Sequence, residues 1–351
     1  MDFSKINSDI PEENSKAREL ARARWNSVAK PLGSLGLLED AVERIAAIIG
    51  TPDVRIDRRA ALVLCSDNGV VAEGVTQSDS SVTTLVAENL TKKRTSVCLM
   101  AASARTDVYP VDMGMNDAPA FGGMLSFRAG NGTENLRREP AMTREQAEFC
   151  VNAGIELARD MKSRGYDILA TGEMGIGNTT TSAALCSALT GLPAEKTAGR
   201  GAGLSDAGLQ RKIEVINDAL RLHAERIRDP LGALAALGGF DIAGMAGIFI
   251  GGAMYGIPVL IDGFISSVAA LTAVRLCPRC AFAALASHIS GEPAGAAVLD
   301  VLGLRPMLCA EMRLGEGTGA VAVLPLLDLA LAVYRGSSSF DELGLEEYTP
   351  Q

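Results

Sequence analysis

The sequence predicts an α/β protein: a parallel, Rossmann-like sheet covered by helices on both faces. Two observations carry this. Short apolar runs recur along the chain, and each ends in a turn that carries an acidic, amide or hydroxyl side chain. Between them lie longer segments whose apolar residues repeat at helical spacing, and alternating strand and helix places neighbouring strands parallel with helices on both sides. A third observation makes the core feasible. At 351 residues and 48% hydrophobic, the chain can bury a large interior.

Taken in order, residues 12–50 read as two helices, Glu12–Val28 and Leu37–Ile49, joined by the Pro/Gly turn Lys30-Pro31-Leu32-Gly33-Ser34-Leu35-Gly36. Strands are expected at Ala60–Cys65, Thr106–Val111, Asp167–Thr171, Pro258–Ile261 and Ala281–Ala286. They run into Ser66-Asp67-Asn68-Gly69, Asp112-Met113-Gly114, Gly172-Glu173-Met174-Gly175, Asp262-Gly263 and Ser287-His288-Ile289-Ser290. Helices are expected over Thr83–Ala101, Arg144–Ser163 and Leu209–Arg226. In such folds ligands bind beyond the carboxyl ends of the strands, so these five turns define one rim.

Composition excludes several classes. A net charge of −9 argues against nucleic acid as a partner, because phosphate backbones need a basic face. Seven cysteines and a polar N-terminus without a signal region fit reduced thiols in the cytoplasm. Cys277-Pro278-Arg279-Cys280 stands alone, so it reads as incidental thiols before a zinc or redox site. With only His223 and His288 available, neither a histidine-rich metal centre nor a Ser-His-Asp triad is expected. The uncharged stretch Ile242–Ile261 is long enough to span a bilayer. Its glycines, and Pro258 after Gly256, read instead as a buried helix followed by a buried strand. The apolar run after Glu316 is shorter and interrupted by Pro325 and Asp328, so no membrane partner is expected.

Four segments carry candidate chemistry. Gly172-Glu173-Met174-Gly175-Ile176-Gly177-Asn178-Thr179-Thr180-Thr181 leaves a strand and enters a helix, which makes it an anion cradle or a tight packing joint. It has neither the lysine of a P-loop nor the position of a dinucleotide fingerprint. Gly199-Arg200-Gly201-Ala202-Gly203 is a second glycine loop, followed by Lys212. Taken alone, Lys212 reads as a solvated surface lysine before it reads as a phosphate partner, and His288 as a satisfied structural histidine. Glycines at 247/251 and 252/256 read as close packing of the apolar helix. Finally, Arg313-Leu314-Gly315-Glu316-Gly317-Thr318-Gly319-Ala320 sets one carboxylate among three glycines before an apolar run. It is either a helix entry or a desolvated base working near neutral pH.

Together these segments resemble the nicotinate-nucleotide–dimethylbenzimidazole phosphoribosyltransferases of cobalamin lower-ligand assembly. The matching stretches are Lys30–Gly36, Cys65–Val70, Glu73–Val75, Gly172–Thr180, Gly238–Met245, Pro258–Phe264, Ser287–Ser290 and Met312–Ala320, in family order along nearly the whole chain. The resemblance implies a large α/β domain (51–305) and a small helical domain from both chain ends (1–50 and 306–351). It implies a cytoplasmic homodimer whose partner helps cover the site, with no metal and no cofactor. The implied reaction moves a 5-phosphoribosyl group from nicotinate mononucleotide to a benzimidazole-type base. Glu316 is implied as catalytic base. Glu173 and Gly175 would lie beside the donor; Gly201, Gly203 and Lys212 would hold its phosphate, with Gly263 and Ser290 nearby. The acceptor would meet Ser78, Val86, Met174 and Leu314.

One departure bears on the acceptor. Family members that prefer dimethylbenzimidazole resemble this chain at Ser78, but eight residues on they carry a glutamine where Val86 stands here. Asn68 also occupies a position where histidine is common. A phenolic or purine acceptor, or a non-catalytic nucleotide-binding subunit of a paired complex, therefore stays open beside the benzimidazole reading.

Overall fold

In the computed structural model, residues 1–348 are described. They build one six-stranded sheet: β1 (Arg59–Ser66), β2 (Thr106–Gly114), β3 (Leu125–Ser126), β4 (Ile168–Met174), β5 (Val259–Ile261) and β6 (Ala284–Ala286). The spatial order is β3-β2-β1-β4-β5-β6, and every adjacent pair is parallel. The order reverses between β1 and β4, and in such sheets ligands bind beyond the carboxyl ends of the strands.

β1 is buried along its whole length because both its faces are covered. Ala60, Leu62 and Leu64 enter the core that includes Val151 and Met161 of the helix Arg144–Ser163 and Ile248 and Phe249 of the helix Phe240–Tyr255. Ala61, Val63 and Cys65 enter a second core with Val42 and Ile45 of the helix Leu37–Ile49 and Leu324 and Leu327 of the helix Thr318–Gly336. Phe3, Ile6 and Ile10 join the first core, whereas the helices Ser15–Ser27, Leu37–Ile49 and Thr318–Gly336 pack on the other face of the sheet. There Trp25 stacks edge-on against Tyr334 at 4.9 Å, and the Arg24 guanidinium donates to the carbonyls of Tyr334 and Ser337.

The long uncharged stretch is a buried helix that ends at Gly256, followed by β5, as the glycines and Pro258 predict. Its packing explains its composition. A Cβ on Gly247 would lie 2.0 Å from the carbonyl oxygen of Val151, so only glycine lets these two helices approach. Thr318–Gly336 is long and apolar enough to cross a membrane, but half of its most apolar window is buried within the protein. Pro325 does not break it. Asp328, on the same helix, pairs with Arg59 and Arg105.

Several boundaries differ from expectation. Thr83–Ala101 is two helices, Ser81–Thr91 and Ser96–Ser103, parted at Lys93, whose φ is +57°. Gly172 and Glu173 belong to β4 itself, because pairing with β1 continues through Met174. Of Ala281–Ala286 only the last three residues are strand, since Pro278 opens a 3₁₀ turn that runs to Ala283. The helix expected at Leu209–Arg226 spans Asp206–Leu222 and is capped by Ser205. The expected first helix starts at Ser15 behind an Asn14 cap, and a short helix, Phe3–Asp9, precedes it. Cys277 and Cys280 are buried free thiols.

Candidate active site

A cavity of about 260 Å³ opens beyond the carboxyl ends of β4, β5 and β6. β4 delivers Glu173, Met174 and Gly175 to it. β5 delivers Asp262 and Gly263, and the segment after β6 delivers His288 and Ser290. Gly201 enters from the second glycine loop. Leu314, Gly315 and Glu316 close the remaining side.

The path of the last loop follows from backbone pairing. Leu308 donates to the Ser287 carbonyl and Ile289 to the Leu308 carbonyl, each at 3.0 Å, so residues around 308 run alongside the segment after β6. The chain then turns through three successive left-handed residues: Gly315 (φ +86°), Glu316 (+59°) and Gly317 (+93°). A glutamate in that region is strained, a conformation that surrounding structure must enforce. One enforcing contact comes from β4. A Cβ on Gly172 would lie 2.4 Å from the Glu316 carbonyl oxygen, so the strand's glycine makes room for the loop's backbone. The Glu316 carboxylate accepts the Val97 N–H at 3.2 Å, at the start of the helix Ser96–Ser103. That helix starts three residues after the break at Lys93. Burial pushes the Glu316 pKa up and the Val97 N–H opposes the shift. The result is a half-buried carboxylate of raised basicity facing a ligand-sized space.

Glu173 is buried more deeply, and its pKa rises to about 8, first through desolvation and then through the charge of Asp241. The Asn178 amide nitrogen donates to Glu173 and, at 3.1 Å, to Asp241, bridging two carboxyls that would otherwise repel. Asp241, wholly buried, is itself raised to about 6 by desolvation. Asn178 and Asp241 lie 63 residues apart, so spacing alone does not pair them.

Lys212, Gly203, Ser78 and Val86 lie around this cavity rather than in its lining. Lys212 is fully buried, not solvated: its ammonium donates to the Thr179 hydroxyl at 2.9 Å and the Gly199 carbonyl at 3.0 Å. Desolvation lowers its pKa to about 8. Thr179 lines the cavity, so Lys212 stands one side chain behind the wall. Gly203 accepts a hydrogen bond from Gln77. Ser78 follows the cavity-lining Thr76 and is half-buried, as is Val86 on the helix Ser81–Thr91. That helix touches the site through Thr83, whose hydroxyl accepts the Ile176 N–H at 3.1 Å. His288 is buried, lines the cavity, and pairs with the Ser287 hydroxyl at 3.1 Å.

The profile of a family described as phosphoribosyltransferase matches residues 10–345. The chain belongs to this phosphoribosyltransferase family. The match takes in every segment of the cavity, from Thr76 to Glu316. Among similar members, the nicotinate-nucleotide–dimethylbenzimidazole phosphoribosyltransferase of Acetivibrio thermocellus is 42% identical over 342 residues, covering 97% of each chain. The protein of the same name from Pseudomonas putida is 41% identical over 338 residues, covering 96% of each. The crystal structure of CobT from Thermus thermophilus superposes with a TM-score of 0.89 at 38% identity, covering 94% of this chain and 99% of that one. As a member of this family the chain is a transferase, and its α/β fold is the family's.

Proposed function

We propose that this phosphoribosyltransferase transfers the 5-phosphoribosyl group of nicotinate mononucleotide to a benzimidazole-type base, giving an α-ribazole phosphate and nicotinate for cobalamin nucleotide-loop synthesis. The observation that carries the reading is the half-buried Glu316 carboxylate at the cavity wall, in a chain whose full-length relatives bear that enzyme's name. Glu316 takes the N–H proton of the base while the other ring nitrogen attacks ribose C1′. The C1′–N bond to the pyridinium breaks, and its electron pair returns to the ring nitrogen, cancelling that positive charge as nicotinate leaves. The departing group already carries a positive charge, so its expulsion asks for no general acid.

In this reading Glu173 and Gly175 flank the donor. Gly201, Gly203 and Lys212, with Gly263 and Ser290, surround its phosphate. Ser78, Val86, Met174 and Leu314 meet the base. The buried Lys212 ammonium behind Thr179 supports the phosphate assignment, since a cation held by two oxygen acceptors retains attraction for an anion. The small domain is read as 1–50 with 306–351 beside 51–305, supported by the Trp25–Tyr334 stack. We read the protein as a cytoplasmic homodimer.

Val86 favours keeping a second acceptor class in the test. The purified protein, given nicotinate mononucleotide and a panel of benzimidazoles, purines and phenols, is expected to form benzimidazole ribotides by mass spectrometry. Phenolic products alone would replace the benzimidazole reading, and no product from any acceptor would favour a binding subunit.

A further inference from the structure

The helix Thr318–Gly336 begins directly after Glu316, and its own N-cap, Gly317, has no side chain to satisfy the first N–H groups. A distant residue does this instead. Asp262, at the end of β5 and only 3% exposed, accepts the Gly319 N–H at 2.7 Å and the Ala320 N–H at 3.1 Å on Oδ1, and the Gly317 N–H at 3.2 Å on Oδ2. Both carboxylate oxygens are therefore turned to the helix. Asp262 is in turn anchored from two sides. Its N–H donates to the Ser266 hydroxyl at 3.1 Å, and its carbonyl accepts from the Ser287 hydroxyl at 3.2 Å. Ser266 shares a hydrogen bond with Thr171 of β4.

We propose that Asp262 is a positioning residue for Glu316: by gripping the N–H groups on the far side of the loop, it ties the left-handed turn at 315–317 to the sheet and aims the Glu316 carboxylate into the cavity. This rests on the reading of Glu316 as the base. The Thr318 N–H and hydroxyl also bond to the Gly315 carbonyl, at 3.0 and 2.8 Å, but these bonds close the turn on itself without attaching it to the sheet. The anchor acts on geometry, and misplacement of a reacting group by about 1 Å costs on the order of 10²-fold in rate. It also acts on charge. The groups around Glu316 are Asp262 just after β5, Glu173 on β4, His288 after β6, Arg313 in its own loop and the Thr95–Val97 helix start. Of these the Asp262 charge raises the Glu316 pKa.

The test is a double-substitution cycle on the full chain. Asp262→Asn keeps the shape but turns an amide toward N–H donors. It is expected to lower kcat about 10²-fold while the Michaelis constant for nicotinate mononucleotide changes by a few-fold at most. The acid limb of its kcat–pH profile should move to lower pH, because a negative charge beside the base has gone. In a Glu316→Gln background the same change should cost nothing further. Multiplying losses in the double variant, or an Asp262→Asn enzyme with wild-type kcat and pH profile, overturns the proposal. Should Asp262→Asn melt well below the parent protein, Asp262→Ser serves in the same cycle. If Glu316→Gln alone keeps wild-type turnover, the base reading itself has failed, and the assignment of Asp262 falls with it by a separately visible route.

Discussion

At the scale of single residues, the site turns on a glutamate held in a backbone region that glycine usually occupies. Glu316→Gln retains size and the capacity to accept from Val97 but cannot take a proton. Turnover should fall by about 10²- to 10⁴-fold with nicotinate mononucleotide binding retained, by steady-state kinetics and calorimetry. The same residue sets a pH dependence. A base acts only when ionised, and burial has raised Glu316 above the usual 4.5. Activity should therefore be lost as pH falls through a value above 4.5, visible as the acid limb of kcat/KM. A carboxylate among glycines is conspicuous in the sequence. Its partners are not: Val97 lies 219 residues away and Asp262 is equally beyond the reach of any local pattern. Lys212 misleads for a related reason, because burial of a lysine is decided by elements that close over it.

At the scale of elements, the break in the expected Thr83–Ala101 helix is the largest difference from the sequence pattern. The break falls in Lys92-Lys93-Arg94, and Lys93 takes the left-handed conformation without a glycine or proline to announce it. The apolar spacing continues across it because both pieces pack on the same core. The paired helices Arg144–Ser163 and Phe240–Tyr255 show the opposite case, in which glycine spacing is legible and meaningful. Gly247→Ala would push a methyl group to 2.0 Å from the Val151 carbonyl. Because the obstacle is backbone, relief requires the helices to part, and urea melts should show a loss of about 3 kcal/mol.

At the scale of the whole molecule, the sheet was legible because parallel strands buried on both faces leave continuous apolar runs, and their carboxyl-end turns collect polar residues. β3 was not legible, since a two-residue edge strand buries too little to leave a pattern. Leu85, Leu99 and Leu329 are each more than half exposed, on three of the helices near the Glu316 loop. The proposed homodimer is expected to cover such exposed apolar side chains with its second copy. Light scattering should give twice the chain's 36.6 kDa mass, and a lone-chain mass at assay concentration would remove the homodimer from the reading. The contact between Trp25 and Tyr334 has an optical consequence. Trp25 is the chain's one tryptophan, and it is buried against the helix that begins beside Glu316. Its emission is therefore a built-in gauge of whether the two ends of the chain are joined, and during refolding it timestamps the docking of the helix on which the base depends.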